Sequence, residues 1–207
     1  NFSHKYIFIF SIFLLGTVIC IEANNMFSKF IKIKFLKKNN FYKKFNFKFL
    51  IFNLLTICYV FFIFCIFSYK IHTLISPIFF LYIISICFFT DIGGYVFGKT
   101  MGGKKLTKIS PNKTISGTVG SFLFSIIPLI LFVNLGYINL EMNLNNIVFS
   151  LVISLISQLG DLFISFLKRK ARLKDTGKIL PGHGGFLDRV DGIIFAVPSS
   201  FFLLKLI

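Results

Sequence analysis

The 207-residue chain is 56% hydrophobic and only 14% charged, with a mean hydropathy of +0.83 and a net charge of +16. A water-soluble domain of this size needs a far larger charged surface, so the composition directs the chain into lipid. The positive charge lies in loops between apolar stretches, a pattern that orients membrane proteins and argues against a nucleic-acid partner.

Lipid supplies no hydrogen bonds to a backbone, so apolar stretches of about 20 residues are expected to cross it as helices. In chain order the candidates are residues 6–21, 49–67, 73–89, 115–135, 147–167 and 192–207. The expected fold class is therefore an all-α, polytopic helical membrane protein with about six transmembrane helices. Residues 1–90 form an N-terminal transmembrane region with a basic loop, and residues 91–207 a C-terminal catalytic region. The chain starts with Asn1 rather than Met, so an incomplete or processed N-terminus is expected.

Three loops, 24–48, 99–113 and 168–189, hold twenty of the 23 Lys and Arg residues. With these spans all three fall on one side, which the positive-inside rule makes cytosolic. The site is expected at that face, in a bacterial inner membrane. Segment 24–48 interleaves lysines with Phe27, Phe30, Ile31, Ile33, Phe35 and Leu36. It fits either an interfacial helix on anionic lipid or an ordinary basic loop. Cys20, Cys58, Cys65 and Cys87 lie in apolar stretches without a CxxC pair and are expected as small core residues.

Acidic residues are scarce, seven in all, and five of them, Asp91, Asp161, Asp175, Asp188 and Asp191, occur in two glycine-rich segments at span ends and in basic loops. Carboxylates at such depth are costly and usually functional. Asp188 and Asp191 are three residues apart, a spacing that puts both on one face of a helix. With Asp161 they make a candidate site for Mg²⁺, a hard cation that keeps positions open for phosphate oxygens; ion pairing with Lys168, Arg169 or Arg189 is the structural alternative. Beside them stand the basic run Lys168, Arg169, Lys170, Arg172 and Lys174 and the glycine-rich turn LPGHGG at 180–185. Gly184 and Gly185 there allow close approach of backbone N–H groups to an anion. His183 in that turn is a candidate proton donor, and a structural donor would look the same. GGYVFGKT at 93–100 fits the P-loop pattern, but a P-loop follows a strand, whereas this segment follows an apolar span; the match is coincidental.

SFLKRKARLKDTGKILPGHGGFLDRVD, residues 165–191, closely resembles the signature of the phosphatidate cytidylyltransferases, the CDP-diacylglycerol synthases. TDIGGYVFGK at 90–99 and ISPNKTISGTVG at 109–120 resemble that family's other two blocks, while the N-terminal third is similar only in hydropathy. The sequence departs from the family at Ile115 and Ser116, where Trp-Glu is usual, and at Ile164, where Glu is usual.

The resemblance implies that CTP and phosphatidate give CDP-diacylglycerol and pyrophosphate at the membrane face. It implies Mg²⁺ on Asp161, Asp188 and Asp191, with room for a second, monovalent ion. Lys168, Arg169, Lys174 and Arg189 would neutralise phosphates, and Lys113 and Thr114 would bind nucleotide with Gly184 and Gly185. Asp175 would orient the basic run, and Asp91 would bind metal or fix its loop. The expected partners are CTP, phosphatidate and membrane lipid, and a homodimer is compatible with them. Three other readings stay open, one of them an inactive membrane scaffold, which the absent family carboxylates at Ser116 and Ile164 allow. A CTP-dependent lipid kinase would release CDP instead of pyrophosphate, and a transporter would place its acids at mid-membrane depth.

Overall fold

A chain that buries its backbone in hydrocarbon must satisfy each N–H and C=O from within, and helices do so. The computed structural model describes residues 2–35, 42–107, 110–136, 141–177, 179 and 184–204. Its helices are α1 (Phe2–Phe35), α2 (Tyr42–Ile57), α3 (Ile66–Lys70), α4 (Pro77–Thr100), α5 (Ile115–Phe124), α6 (Ile127–Asn134), α7 (Leu144–Lys170), α8 (Leu187–Val190) and α9 (Ile193–Leu203). Two π-helical stretches, Cys58–Cys65 and Ile71–Ile75, continue α2 and α3. No strand occurs among the described residues, so the protein is an all-α polytopic membrane protein.

Five helical segments are long and apolar enough to cross a membrane: Lys5–Phe30, Phe49–Ile75, Pro77–Thr100, Ile115–Asn134 and Leu144–Lys170. They match the first five expected spans. The sixth, residues 192–207, corresponds to α9, and residues 205–207 lie outside the described set. Segment 24–48, which fitted either an interfacial helix or a basic loop, is helical through Phe35 and again from Tyr42. Large apolar side chains such as Phe10, Phe62, Leu81, Phe88 and Leu159 are exposed. Water would penalise such a surface, and acyl chains do not.

The chain divides into two compact units: Asn1–Tyr69 with Phe163–Asp191, and Lys70–Leu162 with Gly192–Ile207. In the first, α1 packs on the π-helical stretch around Ile12, Ile19, Val60 and Phe64, all buried. Gly16 permits the close approach, since a Cβ there would lie 3.1 Å from Cys65 Sγ. Phe27 stacks on Phe52 with centroids 5.1 Å apart.

In the second unit Ser76 starts α4, its hydroxyl accepting from Ile78 N at 3.0 Å and Phe79 N at 3.3 Å, with Pro77 in the first turn. Helices α4 and α5 meet along glycines. A Cβ on Gly93 would lie 2.7 Å from Phe124 Cβ, and one on Gly117 would lie 2.8 Å from Gly94 O. Small residues at a membrane-helix interface bring backbones together and so maximise dispersion contacts. This is the physical role of the glycines in GGYVFGKT, which lies inside α4 and forms no phosphate loop. Hydroxyls join α4 to α7: Tyr82 Oη to Ser150 Oγ at 2.8 Å, and Thr90 Oγ1, donating to Ser154 Oγ at 2.9 Å. Ile83, Ile86, Leu129, Ile153 and Val197 fill the core between these helices.

Candidate active site

The loop that leaves α4 turns through Gly102 and Gly103, whose φ angles are +61° and +107°. It folds back so that Leu106 N donates to Lys113 O at 2.8 Å and Ile115 N to Lys104 O at 3.0 Å. Thr114 caps α5, its hydroxyl accepting from Gly117 N at 3.1 Å. Ser116 Oγ donates to Gly102 O, so the residue that stands where the family has Glu ties the loop together. The cap fixes the preceding residue, Lys113, whose ammonium pairs with Asp161 of α7.

Lys113 and Asp161 line a cavity of about 320 Å³, together with Asp91, Asn112, Thr114 and Gln158. Both partners of the pair remain reachable, with side chains 28% and 26% exposed. The cavity thus presents one ammonium, two carboxylates and two carboxamides. An ammonium suits a phosphate, and carboxylates with neutral oxygens suit a hard cation. Among the described residues no three or more His, Cys, Asp or Glu side chains gather as a metal-holding group. Two carboxylates nevertheless fit Mg²⁺, which is usually held by one or two of them while substrate phosphates and water complete its shell. The Lys113 ammonium already marks a cation position on Asp161.

The second group of polar residues lies in the other unit, where Asp188 of α8 gathers the signature segment. Its Oδ1 accepts from Lys168 Nζ at 2.8 Å. Its Oδ2 lies 2.8 Å from Thr176 N, 3.0 Å from Thr176 Oγ1 and 3.1 Å from Gly185 N. The side chains of Lys168 and Asp188 are only 11% and 10% exposed. Burial pushes the Asp188 carboxyl up, but the bond from Lys168, the Thr176 amide, the Lys168 charge and the Gly185 amide outweigh it. The net effect holds the group below its ordinary value of 3.8.

The remaining expected residues are spread along the same segment. Arg169 is exposed and donates to Leu173 O at 3.3 Å. Lys174 and Asp175 are exposed in the bend that follows. Gly184, at φ +86°, faces Asp175, whose Cβ would lie 3.2 Å from a Cβ added there. Arg189 is exposed on α8 and Asp191 ends that helix. Ile164, where the family has Glu, is buried at 7% exposure. His183 lies outside the described residues.

The structure therefore joins Lys113 to Asp161 and Lys168 to Asp188, and adds residues the sequence reading passed over. Asn112 and Gln158 are neutral and carry no local pattern. Glu22, one of the two acids outside the glycine-rich segments, is buried in α1 at 1% exposure. It accepts from Phe186 N at 3.0 Å, Leu187 N at 2.7 Å and Thr176 Oγ1 at 3.1 Å. Its one sequence signal was a carboxylate directly at the end of an apolar span, a depth costly enough to need partners.

A family model described as the cytidylyltransferase family matches residues 2–207. A protein named phosphatidate cytidylyltransferase from Staphylococcus aureus strain COL is 46% identical over 127 residues, covering 60% of this chain and 48% of that protein. Proteins of the same name from Staphylococcus haemolyticus and Staphylococcus epidermidis strain RP62A are 42% identical over 127 residues and 46% identical over 122. The chain spans about half the length of the curated relatives it matches.

Proposed function

This chain belongs to the cytidylyltransferase family, and from that premise we propose that it is the membrane-bound catalytic portion of a phosphatidate cytidylyltransferase. The observation that carries the reading is the family match across residues 2–207, reinforced by relatives of that name at up to 46% identity. The reaction joins CTP and phosphatidate. A phosphate oxygen of the lipid attacks the α-phosphorus of CTP, the bond between the α-phosphorus and its bridging oxygen breaks, and pyrophosphate leaves.

The lipid phosphate is anionic at neutral pH, so the protein has no hydroxyl to deprotonate. Its task is to hold two anions together and to stabilise charge on the leaving pyrophosphate. In the cavity Lys113 exchanges Asp161 for a phosphate oxygen of the nucleotide, while Asn112 and Gln158 supply neutral hydrogen bonds. Asp161 and Asp91 would hold Mg²⁺ there, and Asp191 would offer a further carboxylate to a cation, while Asp188, held by Lys168, keeps the signature segment in place. When bound, the ion neutralises negative charge that develops on the phosphates. Arg169, Lys174 and Arg189, exposed along the signature segment, screen phosphate charge, and His183 is assigned to proton donation. One substrate is anchored in the bilayer and the other dissolved in the cytosol, so the site faces the cytosol from the inner membrane.

Membranes carrying the chain, with labelled CTP, phosphatidate and Mg²⁺, are expected to yield CDP-diacylglycerol and pyrophosphate. Chelating the divalent ion should stop the reaction and adding Mg²⁺ back should restore it. Release of CDP with a newly phosphorylated lipid would replace the reading with a lipid kinase.

A further inference from the structure

We infer that Glu22 is a positioning residue for this reaction: it ties Thr176 to Phe186 and Leu187 and thereby keeps Asp188 and Lys168 in register. The kinetic part of this inference rests on the function proposed above.

Glu22 belongs to α1, far in sequence from the residues it touches, and its carboxylate is buried at 1% exposure. Both oxygens are occupied. Oε1 accepts from Phe186 N at 3.0 Å, and Oε2 from Leu187 N at 2.7 Å. Thr176 Oγ1 lies 3.1 Å from the same Oε2. Two glycines make room for the carboxylate. A Cβ on Gly177 would run into Glu22 Oε1, and one on Gly185 would lie 2.7 Å from Oε2 and 2.6 Å from Gly177 N. Gly177 and Gly185 thus leave a slot whose width is that of a carboxylate flanked by bare backbone.

Thr176 connects the clamp to the signature carboxylate. Its hydroxyl sits between Glu22 Oε2 and Asp188 Oδ2, at 3.1 Å and 3.0 Å. A hydroxyl carries one proton and donates it to one of these oxygens at a time. Its amide donates only to Asp188, at 2.8 Å. A shift of Glu22 therefore reaches Asp188 through Thr176, and reaches it again through the Phe186 and Leu187 amides at the start of α8. Gln at position 22 keeps the shape of Glu but turns an NH₂ toward N–H donors, which cannot pair with it.

The test uses the full chain in detergent. Hydrogen exchange in Glu22→Gln should rise about tenfold in peptides covering Thr176 and Phe186–Leu187, with α4 unchanged. Steady-state assays should show kcat down by about tenfold or more with KM for CTP little changed, the signature of lost transition-state positioning. Glu22→Asp should recover part of the rate. Combining Glu22→Gln with Thr176→Val should cost little more than the worse single change, because both cut one connection. Unchanged exchange at 176 and 186–187, or exchange that rises equally in α4, overturns the inference, as does an active wild type matched by Glu22→Gln. A wild type that makes no CDP-lipid retires the proposed activity, and the exchange result still decides whether Glu22 holds the segment.

Discussion

Two lysine–aspartate pairs in this protein do opposite things. Lys113–Asp161 lies in a cavity with about a quarter of each side chain exposed. Lys168–Asp188 is nearly closed off, and Asp188 also takes two backbone amides. The more open pair is the cheaper to separate, since water can reach both partners. The buried one is expensive to break, because a charge left behind without its partner costs about 3–5 kcal/mol. The same two residue types thus suit exchange in one place and fixed geometry in the other, and burial decides which.

The comparison can be broken first at the closed pair. Asp188→Asn should abolish CDP-diacylglycerol formation and also lower the melting temperature in detergent by several degrees, because Lys168 loses its counter-charge. Asp161→Asn should reduce product formation by about 100-fold while leaving the melting temperature nearly unchanged, which separates binding from folding. An equal melting loss in both variants would erase the distinction.

Acid sharpens the contrast. The Asp188 carboxyl is held below 3.8, so its contribution to stability is complete above that pH and is lost as pH falls through the lower, folded value. Thermal stability of the wild type should therefore decline below pH 3.8 by more than that of Asp188→Asn, which has no such group to titrate. Parallel declines would show that other carboxyls govern acid unfolding. The smallest expected effect is at the wall of the open cavity. A Cβ in Gly94→Ala would lie 2.7 Å from Ser121 Oγ, and that hydroxyl now donates to Thr90 O. Loss of about 1 kcal/mol in thermal or denaturant unfolding, with a modest rise in KM for CTP, would fit a local adjustment.

Much of this was legible in the sequence because lipid makes local demands. Apolar runs had to be helices, and the first five expected spans overlap the five long apolar helices. Asp161 and Asp188 stood out because carboxylates are rare here and cluster with glycine and lysine. Pairing of an acid with Lys168 was legible and is found at Asp188, but the pairing of Lys113 with Asp161 was not, since a loop closure and a cap at Thr114 that no short pattern encodes bring them together. Glu22 was passed over for the same reason. Its partners are 154 to 165 residues away along the chain, and only the fold makes them neighbours. The glycines of GGYVFG were legible as important and not as packing, because a turn and a tight helix crossing both call for the missing Cβ.

The hydroxyl contacts between α4 and α7 carry one more consequence. Each rung, Tyr82 with Ser150 and Thr90 with Ser154, spans two helices bathed in hydrocarbon, where a freed hydroxyl finds no water to replace its mate. Turning either helix by one residue, about 100°, would disengage both rungs at once. Sliding between these helices is therefore stepwise: the joint behaves like a ratchet with widely spaced teeth, and Asp91, one residue beyond Thr90 on α4, inherits its depth and bearing from that toothed fit.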